Sequence, residues 1–318
     1  MSVIDLIGNT PLIALEFPEM GKRILVKCEF LNPSGSIKDR IARYIVLGAL
    51  ESGELKSDSI IVECSSGNTG IAMAMVGAAV GLGVKIVMSE QASIERRKII
   101  EAFGGEVVLF TEDPGMMDYW KGVEITKQMA AEDPRVFLPR QFENPDNALD
   151  HEMFTGQEIL RQVPVPIDAF VAGYGTGGTL MGVGRALRKA NPKTRIVAME
   201  PAEAALLSGE MPCLHSIEGI GDGFIPPLMD IKSIDDTIRV SSSDALEMTQ
   251  RLMHQYGLPV GTSSGANVVA ALRMLDNLPP NAVVVSVLCD RSERYFSTRL
   301  FSASDCFRPR QTEHLAAA

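Results

Sequence analysis

Several features that mark membrane proteins, metalloproteins or disulfide-rich chains are missing from these 318 residues. The five cysteines (Cys28, Cys64, Cys213, Cys289 and Cys306) are scattered without a CxxC pair, which fits free thiols in a reducing compartment better than a disulfide framework or a zinc site. The four histidines are also dispersed, so we expect no metal site. No apolar run approaches the ~20 residues that span a bilayer, and the N-terminal residues lack the pattern of a secretory signal.

Excess positive charge is missing as well, because the formal net charge is −10 at pH 7. Nucleic-acid-binding surfaces and polybasic membrane anchors need clustered Lys and Arg, so we expect neither nucleic acid nor membrane as a partner. The chain is 46% hydrophobic and 22% charged, as is typical of a soluble globular protein, and its length suits two domains. From the scattered cysteines and the lack of a secretory pattern, we expect a cytoplasmic protein.

Short apolar runs alternate with longer helical patterns along the whole chain. Examples are "SIIVECS" followed by "GNTGIAMAMVGAAVGLG", and "DAFVAGYG" followed by "TGGTLMGVGRALRKA". This alternation predicts an α/β fold with parallel sheets covered by helices on both faces. In "SDALEMTQRLMHQYG", Ser243 or Asp244 is the expected N-cap of a helix. The polar stretch at 142–151 is the best boundary between two α/β domains.

Three loops rich in Gly, Ser and Thr each lie between a predicted strand and a predicted helix. They are "SSGNTG" (65–70), "GYGTGGTL" (173–180) and "GTSSGAN" (261–267). In open α/β sheets, ligands bind beyond the carboxyl ends of the strands. Backbone N–H groups at a helix N-terminus favour a carboxylate at the first loop and a phosphate at the second. The alternative for the first and third loops is an ordinary polar cap of the next helix.

The second loop leaves a further alternative open, because a glycine-rich turn also occurs in dinucleotide-binding folds. It is neither GxGxxG nor a Walker loop, since no lysine follows its glycines. A dinucleotide site also needs an acidic residue about 20 residues further on, and Glu200 in "VAMEP" is roughly placed for it. A dinucleotide-binding oxidoreductase therefore remains the candidate from a different class.

Lys38 follows the small residues of "NPSGSIKDR" (32–40), where the chain turns helical. A lone lysine in the first turn of a helix is ordinarily a solvated charge. A lysine in a largely buried site has a lowered pKa and a nucleophilic amine, which forms Schiff bases with aldehydes. Such a lysine, a phosphate cradle and a carboxylate-binding loop are the parts that a pyridoxal-phosphate enzyme acting on an amino acid needs.

Nine motifs occur in an order that resembles the cysteine synthases, or O-acetylserine sulfhydrylases, which belong to the fold-type-II pyridoxal-phosphate enzymes together with cystathionine β-synthase. The motifs are "IGNTPL", "NPSGSIKDR", "SSGNTG", "SIERRKIIEAFGGEVVL", "RQFENPDN", "GTGGT", "GIGDGFIP", "GTSSGAN" and "DRSERYFST". The resemblance runs from about residue 3 to residue 300. It implies two open, twisted, mostly parallel sheets, each flanked by helices, with pyridoxal 5'-phosphate in the cleft between the domains.

The resemblance also implies a domain division and an assembly. The N-terminal domain would span 1–146, with a mobile part at about 84–130 that closes over bound substrate. Its first 35 or so residues could pack on the C-terminal domain. That second domain, 147–318, would carry the phosphate loop. The family resemblance further implies a homodimer.

Roles for individual residues follow from the resemblance, position by position. Lys38 would form the Schiff base and act as the catalytic base, Asn68 would bond the ring hydroxyl oxygen of the cofactor, and Ser263 would face its pyridine nitrogen. The phosphate would be held by Gly175, Thr176, Gly177, Gly178 and Thr179. The substrate α-carboxylate would be bound by Ser65, Ser66, Gly67, Thr69 and Gln141.

The reaction implied is β-replacement on an O-activated L-serine, foremost O-acetyl-L-serine plus sulfide to L-cysteine plus acetate. Alternatives within this chemistry are a cystathionine β-synthase-like reaction, O-phosphoserine as the donor, or another nucleophile such as a different thiol. Cys64, Ser65, Asp222 and Ser292 depart from the usual family pattern. An acidic group at Asp222 would disfavour a phosphorylated donor.

Overall fold

Two mostly parallel sheets organise the chain, and the computed structural model describes residues 1–111 and 119–302. The larger sheet has six strands, which are β1 (Leu12–Phe17), β2 (Lys22–Cys28), β7 (Ala169–Gly173), β8 (Arg195–Pro201), β9 (Asp236–Val240) and β10 (Val284–Leu288). The smaller sheet has four strands, which are β3 (Ile60–Cys64), β4 (Gly83–Ser89), β5 (Glu106–Phe110) and β6 (Val136–Phe137).

The strand order shows how the chain is wound. It is β1-β2-β10-β7-β8-β9 in the larger sheet and β5-β4-β3-β6 in the smaller one. β1 and β2 pair antiparallel, and the other pairs are parallel. The inner parallel strands β3, β4, β7, β8 and β10 are mostly apolar and largely buried, because helices cover both faces of their sheets. The predicted α/β class with two mostly parallel sheets is confirmed.

Ten α-helices are present among the described residues: α1 (Lys38–Ser52), α2 (Asn68–Val80), α3 (Ile94–Ala102), α4 (Tyr119–Glu132), α5 (Asp146–Asp150), α6 (Gly156–Gln162), α7 (Gly178–Ala190), α8 (Ser242–Tyr256), α9 (Thr262–Leu275) and α10 (Arg299–Ser302). A π-helical turn, His151–Thr155, joins α5 to α6. None of the helices in these parts of the chain is long and apolar enough to cross a membrane.

The N-cap of α8 differs from the one expected. Ser241 has extended backbone geometry, and its hydroxyl oxygen accepts a hydrogen bond from the Asp244 N–H at 3.1 Å. The expected N-cap, Ser243 or Asp244, was wrong by two or three residues. Neighbouring Ser and Asp residues are all good caps, so the local pattern did not select among them.

The position of β1 and β2 matters for the site. Both strands belong to the larger sheet, where β2 pairs with β10, although they precede the smaller sheet in the chain. Residues 60–137 supply all four strands of the smaller sheet. The division of the chain at residue 146 stays a prediction. Of the mobile segment expected at about 84–130, residues 112–118 lie outside the described residues, as does the tail beyond residue 302.

Candidate active site

A cleft of about 400 Å³ lies beyond the carboxyl ends of strands from both sheets. Every site residue expected from the sequence lines it except Gly178. A larger depression of about 1020 Å³ lies along the outer side of α1 and contains none of the expected site residues. The smaller cleft is therefore the candidate active site.

Lys38 is the first residue of α1, and its half-buried side chain lines the cleft. Hydrogen bonds hold the preceding loop in place. The Ser34 N–H donates to the Asp39 carboxylate at 2.7 Å, and the Ile37 N–H donates to the Cys289 carbonyl at 2.9 Å. Burial lowers the pKa of Lys38, although the nearby Cys289 and Asp222 favour its charged form. A lowered pKa makes an uncharged, nucleophilic amine more accessible.

Gly35 shows why this loop needs small residues. Its φ is +90°, a left-handed conformation that favours glycine. A Cβ there would lie 2.7 Å from the Arg294 guanidinium. The turn before Lys38 is thus shaped around a buried arginine from the far end of the chain.

The loop before α7 has the form of an anion cradle. A Cβ on Gly175 would lie 2.5 Å from the Gly219 carbonyl oxygen, and Gly177 has φ of +85°. Thr176 accepts a hydrogen bond from the Asn147 amide at 2.9 Å, and the Thr179 hydroxyl is 3.1 Å from His151 Nε2. The loop opens a helix of 13 residues, whose N-terminus attracts negative charge.

Gly178 is the residue that the structure does not bring to the wall of the cleft. It packs instead beneath Asn147, where a Cβ would lie 1.9 Å from the side-chain oxygen. Its small size therefore serves the packing of α7. The sequence pattern could not distinguish it from its neighbours, because all of them are small.

The loop before α2 carries the residues expected to bind a carboxylate. The Ser65 oxygen accepts hydrogen bonds from the Gly67 N–H at 3.2 Å and the Gly70 N–H at 3.1 Å, so Ser65 does cap the helix. Its own hydroxyl hydrogen remains to be donated. Thr69 donates to Gln141 at 2.6 Å, which joins two of the expected carboxylate ligands. The capping alternative and the binding role are compatible at this loop.

Ser263 is the second residue of α9 and lies beside the Cys289 thiol in the cleft. Burial raises the pKa of Cys289 to about 12, so this thiol is protonated near neutral pH. The sequence had identified Cys289 only as one of several scattered cysteines. Its place in the cleft depends on the pairing of β10 with β7 and β2.

An ion pair and an aromatic cluster bridge the cleft, and neither was expected from the sequence. Arg96 of α3 pairs with Glu218 from the loop before Gly219, and both line the cleft. Phe224 packs against Tyr119 and Trp120 of α4, with ring centroids 5.7 and 4.9 Å apart. These contacts join parts of the chain about 100 residues apart, so no local pattern signals them.

Glu200 argues against the dinucleotide alternative. Its carboxylate is fully buried and accepts hydrogen bonds from the Tyr174 hydroxyl at 3.0 Å, the Leu207 N–H at 2.9 Å and the Ser208 hydroxyl at 2.6 Å. A ribose-binding carboxylate has to face the ligand. Glu200 instead secures the loop after β8.

The donor set of the cleft fits pyridoxal phosphate. An amine (Lys38), an anion cradle at a helix N-terminus and an amide (Asn68) lie around one cavity. The residue expected at the pyridine nitrogen, Ser263, is neutral, and the cradle is kept open by glycines at which a Cβ would collide. No group of three or more potential metal ligands occurs in the described part of the chain.

Comparisons with known proteins agree with this chemistry. The family model described as pyridoxal-phosphate dependent enzyme matches residues 3–290. Cysteine synthase B of Campylobacter jejuni subsp. jejuni is 44% identical over 301 residues, which cover 94% of this chain and 98% of that relative.

Two crystal structures are also similar. That of O-ureido-L-serine synthase has a TM-score of 0.90 and 42% identity, covering 96% of both chains. That of an O-acetylserine dependent cystathionine beta-synthase from Helicobacter pylori has a TM-score of 0.90 and 34% identity, covering 95% of this chain and 98% of the other.

Proposed function

Because the chain belongs to the pyridoxal-phosphate-dependent enzymes of the cysteine synthase type, we propose that it catalyses β-replacement on an O-activated L-serine. The foremost reaction is O-acetyl-L-serine plus sulfide to L-cysteine plus acetate. The observation that carries this proposal is the position of Lys38. Its amine shares one cleft with the phosphate cradle (175–179) and the carboxylate loop (65–69).

Lys38, Asn68, Ser263 and the cradle would hold the cofactor, which when bound supplies an electron sink for charge developing at the substrate Cα. We propose that Lys38 carries the cofactor at rest. When it is free and uncharged, its amine would take the Cα proton of the substrate and later return it. A base with a lowered pKa suits this role because more of it is uncharged near neutral pH.

Ser263 bears on the choice of reaction. A neutral hydroxyl at the pyridine nitrogen does not stabilise a proton there, in contrast to a carboxylate. The electron sink is then weaker, which favours departure of a good leaving group from Cβ over complete carbanion chemistry such as transamination. A serine at this place therefore supports the proposal of β-replacement on an O-activated donor.

The carboxylate loop orients the substrate. Ser65, Ser66, Gly67 and the amide of Gln141 would bind the α-carboxylate at the N-terminus of α2, where backbone N–H groups favour an anion. Thr69 holds Gln141 in place at 2.6 Å. We further propose that the segment at about 84–130 closes when this carboxylate binds. Arg96 and Tyr119 belong to that segment and would help to exclude water from the cleft.

The donor and the nucleophile are the open parts of the reaction. The relatives named above are named for different products, cysteine, O-ureido-L-serine and cystathionine, and the last of them is described as O-acetylserine dependent. The alternatives are a cystathionine β-synthase-like reaction, O-phosphoserine as the donor, and another nucleophile. We place O-acetyl-L-serine with sulfide first.

A panel of donors tests the proposal directly. The yellow holoenzyme would be mixed with O-acetyl-, O-phospho- and O-succinyl-L-serine and with L-serine, and the change in its visible absorbance recorded. Sulfide, homocysteine and hydroxyurea would then be added separately, and the amino-acid product identified by mass. We expect the largest absorbance change with O-acetyl-L-serine, its reversal by sulfide, and L-cysteine as the product. No change with any donor would refute β-replacement, and reversal by homocysteine alone would favour the cystathionine alternative.

Asp222 is expected to select against phosphorylated donors. It lines the cleft, where burial raises the pKa of its carboxyl while His215 and Lys38 favour its charged form. Removing a charge beside a dianionic leaving group relieves like-charge repulsion. Asp222→Asn should therefore raise kcat/KM for O-phospho-L-serine relative to O-acetyl-L-serine by about tenfold. Asp58→Asn, at an exposed position outside the cleft, is the control. An unchanged donor ratio in Asp222→Asn would remove the hypothesis.

Assembly and location are proposed from the family resemblance. We propose a cytoplasmic homodimer. We also propose that it binds neither nucleic acid nor membranes, because its net charge of −10 disfavours both of these anionic partners. Exposed apolar side chains of α1, α5 and the π-helical turn, Leu47, Leu149, Met153 and Phe154, are candidates to be covered in a dimer. Sedimentation equilibrium would measure the assembly, and a monomer at micromolar concentration would contradict it.

A further inference from the structure

The segment that follows β10 contains three buried polar side chains to which the proposed reaction gives no role. Asp290 and Arg294 are each 1% exposed, and Tyr295 is fully buried. None of the three lines the cleft. They nevertheless contact two of the loops that form it.

Asp290 and Arg294 hold the two ends of the Asn68 side-chain amide. Asn68 Nδ2 donates to Asp290 Oδ2 at 2.6 Å, and Arg294 Nη1 donates to Asn68 Oδ1 at 2.5 Å. The Tyr295 hydroxyl donates to the same Asp290 Oδ2 at 2.6 Å. All three residues thus form one connected network around a residue of the cofactor site.

The directions of these hydrogen bonds leave Asn68 a single orientation. Arg294 can only donate, so it must face the amide oxygen. Asp290 Oδ2 receives two donors and acts as an acceptor, so it must face the amide nitrogen. That nitrogen carries a second hydrogen, and Asn68 lines the cleft. The network therefore turns Asn68 into a hydrogen-bond donor toward the cleft.

Arg294 also reaches the loop that precedes Lys38. Its Nη2 donates to the Ser34 carbonyl at 2.7 Å, while Nη1 contacts Asn68. One planar guanidinium thereby joins the lysine loop to the loop that begins α2. Gly35, at which a Cβ would lie 2.7 Å from Nη2, permits this close approach.

Tyr295 is itself held by a charged neighbour. The Arg96 guanidinium lies 4.8 Å from the centre of its ring, within the range of a cation–π contact. Arg96 in turn pairs with Glu218 at the cleft. The orientation of the tyrosine hydroxyl is therefore constrained from the ring side as well as by Asp290.

We propose that Asp290, Arg294 and Tyr295 are positioning residues that fix the Asn68 amide with its N–H toward the ring oxygen of the cofactor and set its distance from Lys38. A hydrogen-bond donor at this place stabilises negative charge on that oxygen. This inference rests on the cofactor assignment that the proposed function also uses, and not on the identity of donor or nucleophile.

Cofactor binding by the apoprotein tests the inference separately from turnover. Tyr295→Phe removes one oxygen, Asp290→Asn replaces the carboxylate that accepts from Asn68 with a neutral amide, and Arg294→Lys keeps the charge but loses the planar fork. Each apoprotein would be titrated with pyridoxal phosphate, giving the dissociation constant and the visible absorbance spectrum. Arg291→Lys is the matched control, because Arg291 lies in the same segment but donates to the Phe30 carbonyl instead.

We expect Asp290→Asn and Arg294→Lys to bind the cofactor about 10- to 100-fold more weakly, since each loses a charge-assisted hydrogen bond, and to show a smaller yellow band. Tyr295→Phe should also bind the cofactor more weakly, and Arg291→Lys should have the same dissociation constant and spectrum as the parent.

Unchanged binding and spectra in all three variants would overturn the proposal, as would an equal loss of affinity in Arg291→Lys. If Arg294→Lys does not fold, Tyr295→Phe and Asp290→Asn decide alone. Normal spectra with no cysteine synthase activity would count against the proposed function only.

Discussion

A Lys38→Ala protein is expected to lose covalent attachment of pyridoxal phosphate and to lose turnover by about 10³-fold or more, because the same amine is proposed as the anchor and as the general base. The cradle at 175–179 and the Asn68 amide remain, so the cofactor should still bind without a covalent link. Borohydride reduction followed by intact-protein mass measurement detects the link. Steady-state β-replacement rates measure the loss of turnover.

Lys127→Ala is the control for this experiment. Lys127 is an exposed lysine of α4 that pairs with Glu124 at 2.8 Å and does not line the cleft. It should retain both the reducible adduct and full turnover. A Lys38→Ala protein that kept β-replacement, or that still gave the adduct on reduction, would refute the assignment of Lys38.

Replacing Arg40 with leucine is expected to lower the free energy of unfolding by about 3–5 kcal/mol, because it leaves two buried carboxylates without their partner. Arg40 is fully buried two residues after Lys38. It donates to Glu29 at 2.6 and 2.8 Å and to Glu158 at 2.9 and 2.7 Å. Lys27, 2.7 Å from Glu158, balances the second negative charge. Denaturant unfolding of parent and variant measures the difference.

The loss of unfolding free energy in Arg40→Leu should become smaller as the pH falls. Burial acts to raise the pKa of Glu158, but Arg40 and Lys27 outweigh it and hold that pKa at about 2. Its stabilising contribution in the parent is therefore present above the unfolded pKa and is lost as the pH falls toward 2. Without Arg40, Glu29 loses its charged hydrogen-bond partner and Glu158 keeps only Lys27, so the cost of burying these two carboxylates falls when they are protonated. The difference in stability should thus be largest near neutral pH and narrow below about pH 4.

Arg135→Leu is the control for this second prediction. Arg135 forms an exposed pair with Asp133 at 2.7 Å, and exposed pairs contribute little to stability. Its free energy of unfolding should match that of the parent near neutral pH. An Arg40→Leu protein as stable as the parent at neutral pH would show that the buried network does not hold the start of α1.

The elements most readily predicted were those with local causes. β3 and β7 came from short apolar runs, and the helices after them came from the helical patterns that follow, which begin with small polar residues. The three loops at 65–70, 173–180 and 261–267 could also be recognised from local sequence, because each is a run of small residues between a predicted strand and a predicted helix. The exact N-cap of α8 could not be selected, because several adjacent residues were equally suitable.

Tertiary structure decided which of those loops share a cavity and what supports them. The Arg40 network draws on residues 27, 29, 40 and 158, and the Asn68 network on residues 34, 68, 290, 294 and 295. No periodicity or spacing encodes such contacts, because they arise from strand order: β2 lies beside β10, and β10 beside β7. That order also brings Cys289 to the cleft and commits Glu200 to a neighbouring loop.

By itself the sequence determined the α/β class and the glycine-rich turns, because each depends on a few consecutive residues, and it singled out Lys38 as the lysine proposed to carry an aldehyde cofactor. Only the tertiary structure decided that Gly178 supports packing, that Arg96 pairs with Glu218 across the cleft, and that Asn68 is oriented by a segment more than 200 residues away. Those outcomes depend on which side chains become buried together, and burial is a property of the assembled sheets.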